Sequence, residues 1–193
     1  KITSKTRVIL VVHLYGQLAE MDAIHEIAVA NDLLVIEDAA QAHGAIRNQK
    51  SRISNQKSSV AYSFYPGKNL GTLGDAGAVI TNDSDLAEVI RSLRNYGSET
   101  KYYNDYIGVN SRLDELQAAF LNVKLPNLDT ENEWLRTIAR RYLSEIKNDK
   151  IIVPNWDLSN NHVFHLFVIR TQNRIDLQHY LHQNGIQTVI HYP

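Results

Sequence analysis

Ala61-Tyr-Ser-Phe-Tyr-Pro-Gly-Lys-Asn-Leu-Gly-Thr-Leu-Gly-Asp75 decides how this chain is read. It runs from a strand end through a glycine-rich turn that carries a single lysine. Its partner is Val35-Ile-Glu-Asp-Ala-Ala-Gln-Ala-His-Gly44, where an apolar strand runs straight into two carboxylates. In a parallel sheet the carboxyl ends of the strands open onto one crevice, and ligands bind there. The two stretches therefore point to a pocket that receives a carboxylate from one loop and a lysine from the next.

The elements around them support that sheet. Arg7–Val12 is a continuous, mostly β-branched apolar run, as expected of a strand buried on both faces. Met21, Ile24, Ile27 and Ala28 recur at helical spacing and predict a helix over 21–30. Leu33–Ile36 is a second strand, so strand, helix and strand make a parallel crossover unit. Val60–Phe64 and Ala76–Thr81 are further strands, with a polar surface excursion over Arg47–Ser59. Leu86, Val89, Ile90 and Leu93 mark a helix that Asp83 or Ser84 can cap. Asn95–Asn110 is a long tyrosine-rich loop, a kind that is usually functional or mobile.

Ser111–Leu125 predicts a helix stopped by Pro126, and Glu131–Lys147 predicts another. Beyond them, Ile151–Val153, Val163–Arg170 and Gln187–Ile190 read as strands, with a helix over Leu177–Gln183 closed by Gly185. This change of pattern sets the expected division: 1–125 as part of a cofactor-binding large domain, and 126–193 as a linking helix and the start of a small domain. The fold class is α/β. The 193 residues begin on Lys and stop as an apolar run emerges, so the chain reads as a fragment.

Composition removes several functions. The net charge of −1 gives no field for nucleic acid or anionic membrane. With no cysteine there is no disulfide, thiolate metal site or cysteine nucleophile. No apolar run reaches the ~18 residues of a membrane span, and no signal core is evident, so the cytoplasm is expected. The eight histidines show no His-Glu-x-x-His or other tight ligand spacing. Lys68 lacks the P-loop spacing, and Gly71, Gly74 and Gly77 do not form a dinucleotide fingerprint.

On residues alone, Asp38 is a turn carboxylate or the partner of a cationic ligand group, with Gln41 near it if the backbone turns helical. Lys68 is a solvated surface charge or an amine made nucleophilic by desolvation from Tyr62, Phe64 and Tyr65. Ser63 can offer a hydroxyl to a phosphate.

Four ordered motifs add a resemblance: Glu37–Ala45, Ser63–Gly71, Gly74–Ala78 and Gly108–Ala119. Together they are similar to the DegT/DnrJ/EryC1/StrS family of pyridoxal-phosphate-dependent sugar aminotransferases, which have the aspartate-aminotransferase fold. His162–Arg170 and Gly185–Pro193 resemble that family's small domain. The resemblance implies that Lys68 forms an imine with pyridoxal 5'-phosphate and later moves a proton. It implies that Asp38 pairs with the ring nitrogen, Gln41 contacts the ring hydroxyl and Ser63 binds the phosphate. Asn110 would reach the phosphate of a partner subunit's cofactor, which makes the site a property of a homodimer.

Lysine at 68, rather than histidine, favours transamination over the dehydration that histidine-bearing relatives perform. The implied substrates are an amino-acid donor, by family habit glutamate, and a nucleotide-linked ketosugar. Phe64–Lys68 and Asn104–Gly108 lean toward C3 of a dTDP-3-keto-6-deoxyhexose, with a 4-keto substrate as the alternative. The family's N-terminal phosphate loop has no match here. A different class of reading is a non-enzymatic piece that offers only binding or dimerisation surface.

Overall fold

The computed structural model describes residues 1–45 and 58–192. The Arg47–Ser59 excursion lies mostly outside the described residues. The centre is a four-stranded sheet of β1 (Val8–Val12), β2 (Leu34–Asp38), β3 (Ser58–Ser63) and β4 (Gly77–Thr81), in that spatial order. β1, β2 and β3 run parallel, as expected, and β4 pairs antiparallel with β3. Register places Val12 beside Asp38 and Asp38 beside Ala61, so the parallel strands end together on one edge.

Between β1 and β2 lies α1 (Met21–Ala30), with the bounds its periodicity predicts. Its buried Met21 and Ala28 pack with Val11, Leu33 and Val35, and with Ile9, Ala19 and Ile24 at the margin. This covers one face of the sheet. On the other face Val8, Leu10, Val12, Leu34 and Ile36 are exposed. The expectation that β1 is buried on both faces is therefore corrected. The side chains alternate, and among the described residues only one set of them meets a helix.

α2 (Ser84–Leu93) is capped by Asp83, whose Oδ1 accepts from the Asp85 and Leu86 amides at 3.1 and 3.3 Å. The tyrosine-rich loop contains a small antiparallel pair, β5 (Ser98–Thr100) and β6 (Tyr103–Asn104). α3 spans Glu115–Lys124 and starts later than predicted, because Asp114 is still extended. Pro126 does not end the helical path. It sits in the short 3-10 turn Leu125–Asn127, where its missing amide is harmless, and α4 (Leu128–Glu145) follows directly.

The strands expected at 151–153, 163–170 and 187–190 are not formed. A ladder needs a neighbour along its length, and here only Ile152 and Arg170 exchange backbone bonds, both at 2.8 Å. Within this region α5 covers Arg174–Gln183, and Gly185 follows it with a φ of +78°. A second core forms where Trp156 and Phe164 meet α4 at Ala139, with Leu135, Leu143 and Phe167 around them. The aromatic rings interlock, Trp156 lying edge-on to Phe164 at 4.8 Å.

Candidate active site

The lysine is held by a loop that closes on itself. Thr72 ties both its amide and its hydroxyl to the Phe64 carbonyl, at 2.8 and 2.9 Å. Between these ends the Lys68 amide donates to the Tyr65 carbonyl at 2.9 Å. Gly71 is required by this curl, because a Cβ there would lie 2.6 Å from the Pro66 carbonyl oxygen and 2.7 Å from that of Tyr65. From outside, Lys124 Nζ of α3 donates to the Gly71 carbonyl at 2.7 Å. A half-buried Lys68 on so tightly bonded a loop has a fixed base for its flexible chain.

The sheet edge supplies the other groups. Asp38 and Ser63 close adjacent strands, and the Ala39 amide donates to the Ala61 carbonyl at 2.8 Å. Register puts Asp38, Ala61 and Ser63 on the same face. Asp38 Oδ1 accepts the Ala40 amide at 3.0 Å, which is the turn role; a carboxylate has a second oxygen that such a bond does not use. Ser63 Oγ accepts the Tyr65 amide at 3.3 Å, which leaves its proton to donate. Tyr62 and Phe64 face the other way. They flank His43 at centroid distances of 5.3 and 5.7 Å.

Gln41 is oriented from two sides. Its Oε1 accepts the Tyr15 amide at 2.6 Å, and its Nε2 donates to the Tyr192 hydroxyl at 3.1 Å. The Tyr15 bond determines which amide atom faces outward, since a backbone N–H needs an acceptor. Gly16, with a φ of +98°, lets this loop approach: a Cβ there would lie 2.9 Å from both the Gln41 carbonyl oxygen and Val163 Cγ2. The Val163 amide then donates to the Gly16 carbonyl at 2.9 Å and the Leu166 amide to the Tyr15 carbonyl at 3.3 Å. In this way residues near the end of the chain reach the sheet edge.

Beneath the loop, His13 is buried with Nδ1 accepting the Ala19 amide at 3.2 Å. Its proton is therefore on Nε2, which donates to Glu37 Oε2 at 2.8 Å.

Asn110 stands apart. Lys68 lines a cavity of about 660 Å³ with Asn69, Asn132, Trp134 and His165. Asn110 lines a different cleft of about 950 Å³ with Tyr62, Asp75, Arg91, Arg94 and Arg112, and its Oδ1 accepts from Arg112 Nε at 3.1 Å. Asp38 and Ser63 thus close adjacent strands, Gln41 lies three residues beyond Asp38 and Lys68 five beyond Ser63, whereas Asn110 lines a separate cleft within this chain.

Several groups near the lysine escaped the sequence reading. His43 is 2% exposed and has neither ring nitrogen bonded; burial holds its pKa down at about 4, against the opposing pull of the Ser63 backbone. Asn69, Asn132 and His165 form a bonded chain. His43 and Asn69 sit inside the quoted motifs, so proximity could have flagged them. Asn132 lies mid-helix and gives no such signal, because its burial depends on what packs over α4. Among the described residues no group of His, Asp and Glu is arranged to hold a metal ion. No helix among them is long and apolar enough to cross a membrane.

An α/β sheet whose strand ends carry a carboxylate and a hydroxyl, followed by a closed loop bearing a lysine, is the fold of the aminotransferase structures this chain resembles. The donor set fits pyridoxal phosphate: an amine for its carbonyl, a carboxylate oxygen for its ring nitrogen, and a free hydroxyl proton for its phosphate. Comparison with known proteins agrees. The chain belongs to the DegT/DnrJ/EryC1/StrS aminotransferase family, which matches over residues 1–193. The enzymes of this family are pyridoxal-phosphate-dependent transaminases.

Over 193 residues the chain is 55% identical to the dTDP-3-amino-3,6-dideoxy-alpha-D-galactopyranose transaminase of Aneurinibacillus thermoaerophilus, covering all of this chain and 53% of that protein. It is 49% identical to the dTDP-3-amino-3,4,6-trideoxy-alpha-D-glucose transaminase of Streptomyces venezuelae, covering 51% of it. The crystal structure of S. venezuelae DesV in complex with a ketimine intermediate superimposes with a TM-score of 0.92 at 49% identity, over all of this chain and 52% of that one. NtdA of Bacillus subtilis, with bound pyridoxamine phosphate (PMP), gives 0.87 at 36% identity, over all of this chain and 45% of that one. The chain thus spans about half the length of the relatives it matches.

Proposed function

We propose that the protein to which this chain belongs transfers an amino group from an amino acid, glutamate by family habit, to the keto group of a nucleotide-linked deoxysugar. The observation that carries this reading is the self-closed loop that presents Lys68 beside strand ends bearing Asp38 and Ser63. Bound there, pyridoxal phosphate supplies an electrophilic carbon and a protonated ring that takes up an electron pair. Lys68 holds that carbon and then moves the proton that transamination requires. Asp38, through the oxygen not used by Ala40, keeps the ring nitrogen protonated. Gln41 donates from the amide face that Tyr15 has oriented, and Ser63 donates to the phosphate.

Asn110 acts in a second copy's site. Its cleft is separate from the cavity of Lys68, which supports a homodimer with shared sites. The division at residue 125 belongs to the same proposal, with 126–193 as the linking helix and start of a small domain. The names of the relatives support a dTDP-linked 3-keto-6-deoxyhexose as acceptor. Incubating the full-length protein with glutamate and either the 3-keto or the 4-keto dTDP-sugar tests this. Turnover of the 3-keto sugar is expected, and turnover of the 4-keto sugar alone would rule out action at C3.

A further inference from the structure

The hydrogen bonds around His165 have only one consistent direction. Asn132 is fully buried, and its Nδ2 donates to the His43 carbonyl at 2.8 Å. A carbonyl can only accept, so Asn132 presents its Oδ1 to the next amide. Asn69 Nδ2 donates to that Oδ1 at 2.9 Å and to the Val163 carbonyl at 3.0 Å. Both Asn69 amide protons are then used, and its Oδ1 faces His165 Nδ1 at 3.2 Å. The imidazole must donate. A neutral His165 therefore carries its proton on Nδ1 and a lone pair on Nε2.

No hydrogen bond among the described residues uses that lone pair. The ring lines the same cavity as Lys68. Burial first, then the charges of Lys68 and His191, hold the imidazole neutral, with a pKa lowered to about 4. The four residues Lys68, Asn69, Asn132 and His165 thus couple the lysine loop, α4 and the 163–166 segment at one point.

We propose that His165 is a positioning residue for Lys68: its Nε2 lone pair accepts a hydrogen bond from the lysine amino group whenever that group is free, and so aims it. The proposal rests on Lys68 being the reactive amine. An acceptor of this kind restrains a side chain that otherwise has four rotatable bonds.

The test uses the full chain without cofactor. Long-range proton–nitrogen correlation should show His165 with a protonated Nδ1 and a bare Nε2, and Asn69→Ala should let the proton redistribute between them. A protonated Nε2 in the unaltered chain would overturn the proposal. In parallel, His165→Asn keeps a donor for Asn69 but places nothing where Nε2 was. With carbon-13 at the lysine side-chain carbons, the Lys68 Cε should gain motion in this variant relative to the parent, because the acceptor that aims the amine is gone. Unchanged Lys68 side-chain motion in a variant that melts like the parent would also overturn it, leaving His165 a structural role only. A gain in Lys68 motion without a visible band on adding pyridoxal phosphate would count against the transaminase reading and not against the pairing.

Discussion

His43, His162 and His165 each have their pKa lowered from 6.5 to about 4, chiefly by burial. The unfolded chain takes up these protons near pH 6.5, whereas the folded chain resists them until near pH 4. Their contribution to stability is thus complete above pH 6.5 and is lost as the pH falls from there through 4. Urea midpoints measured across pH should be level near neutrality and drop across that window. A midpoint that does not fall between pH 6.5 and 4 would contradict the burial assigned to these rings. His162 also stacks on Phe164 at 3.7 Å, so charging it strains the second core directly.

Among the elements, α2 gives a simple contrast. Asp83→Ala removes the oxygen that two amides use and should cost about 1 kcal/mol in denaturant unfolding, whereas Ser84→Ala should change little. Equal effects would mean that the cap is misassigned. Gly16→Ala is expected to cost more, about 1–3 kcal/mol, because the residue has a φ of +98° and its Cβ would press on the Gln41 carbonyl and Val163. A neutral result would mean that the 13–17 loop does not dock the 163–166 segment as described.

These cases also mark what could be read in advance. α1 was legible to the residue because Met21, Ile24 and Ala28 share one stripe, and the strand ends at Asp38 and Ser63 were legible because apolar runs lead into them. The failures have a common cause. Leu10 and Ile36 are apolar enough for a two-sided core, and 163–170 is apolar enough for a strand, but burial and pairing require a neighbour that a segment's own residues do not specify. Asn132 was invisible for the same reason.

At the scale of the whole molecule, one sheet face has no cover among the described residues: Leu10 is 65% exposed, Leu34 54% and Val12 48%. Contiguous apolar surface of this kind binds hydrophobic dyes and neighbouring chains. Anilinonaphthalene sulfonate should therefore fluoresce with the native chain, and Leu10→Asn with Ile36→Asn should reduce the signal while changing stability by no more than about 0.5 kcal/mol each. Dye binding that survives both substitutions would place the apolar surface elsewhere.

The account depends most on Lys68, and the most direct measurement is the absorption spectrum of the chain and of Lys68→Ala after adding pyridoxal phosphate. A band in the visible that Lys68→Ala lacks is predicted, because only that amine should hold the cofactor's carbonyl carbon within the site. A band of equal strength in both proteins, or a full-length protein that shows none, would contradict the assignment of Lys68.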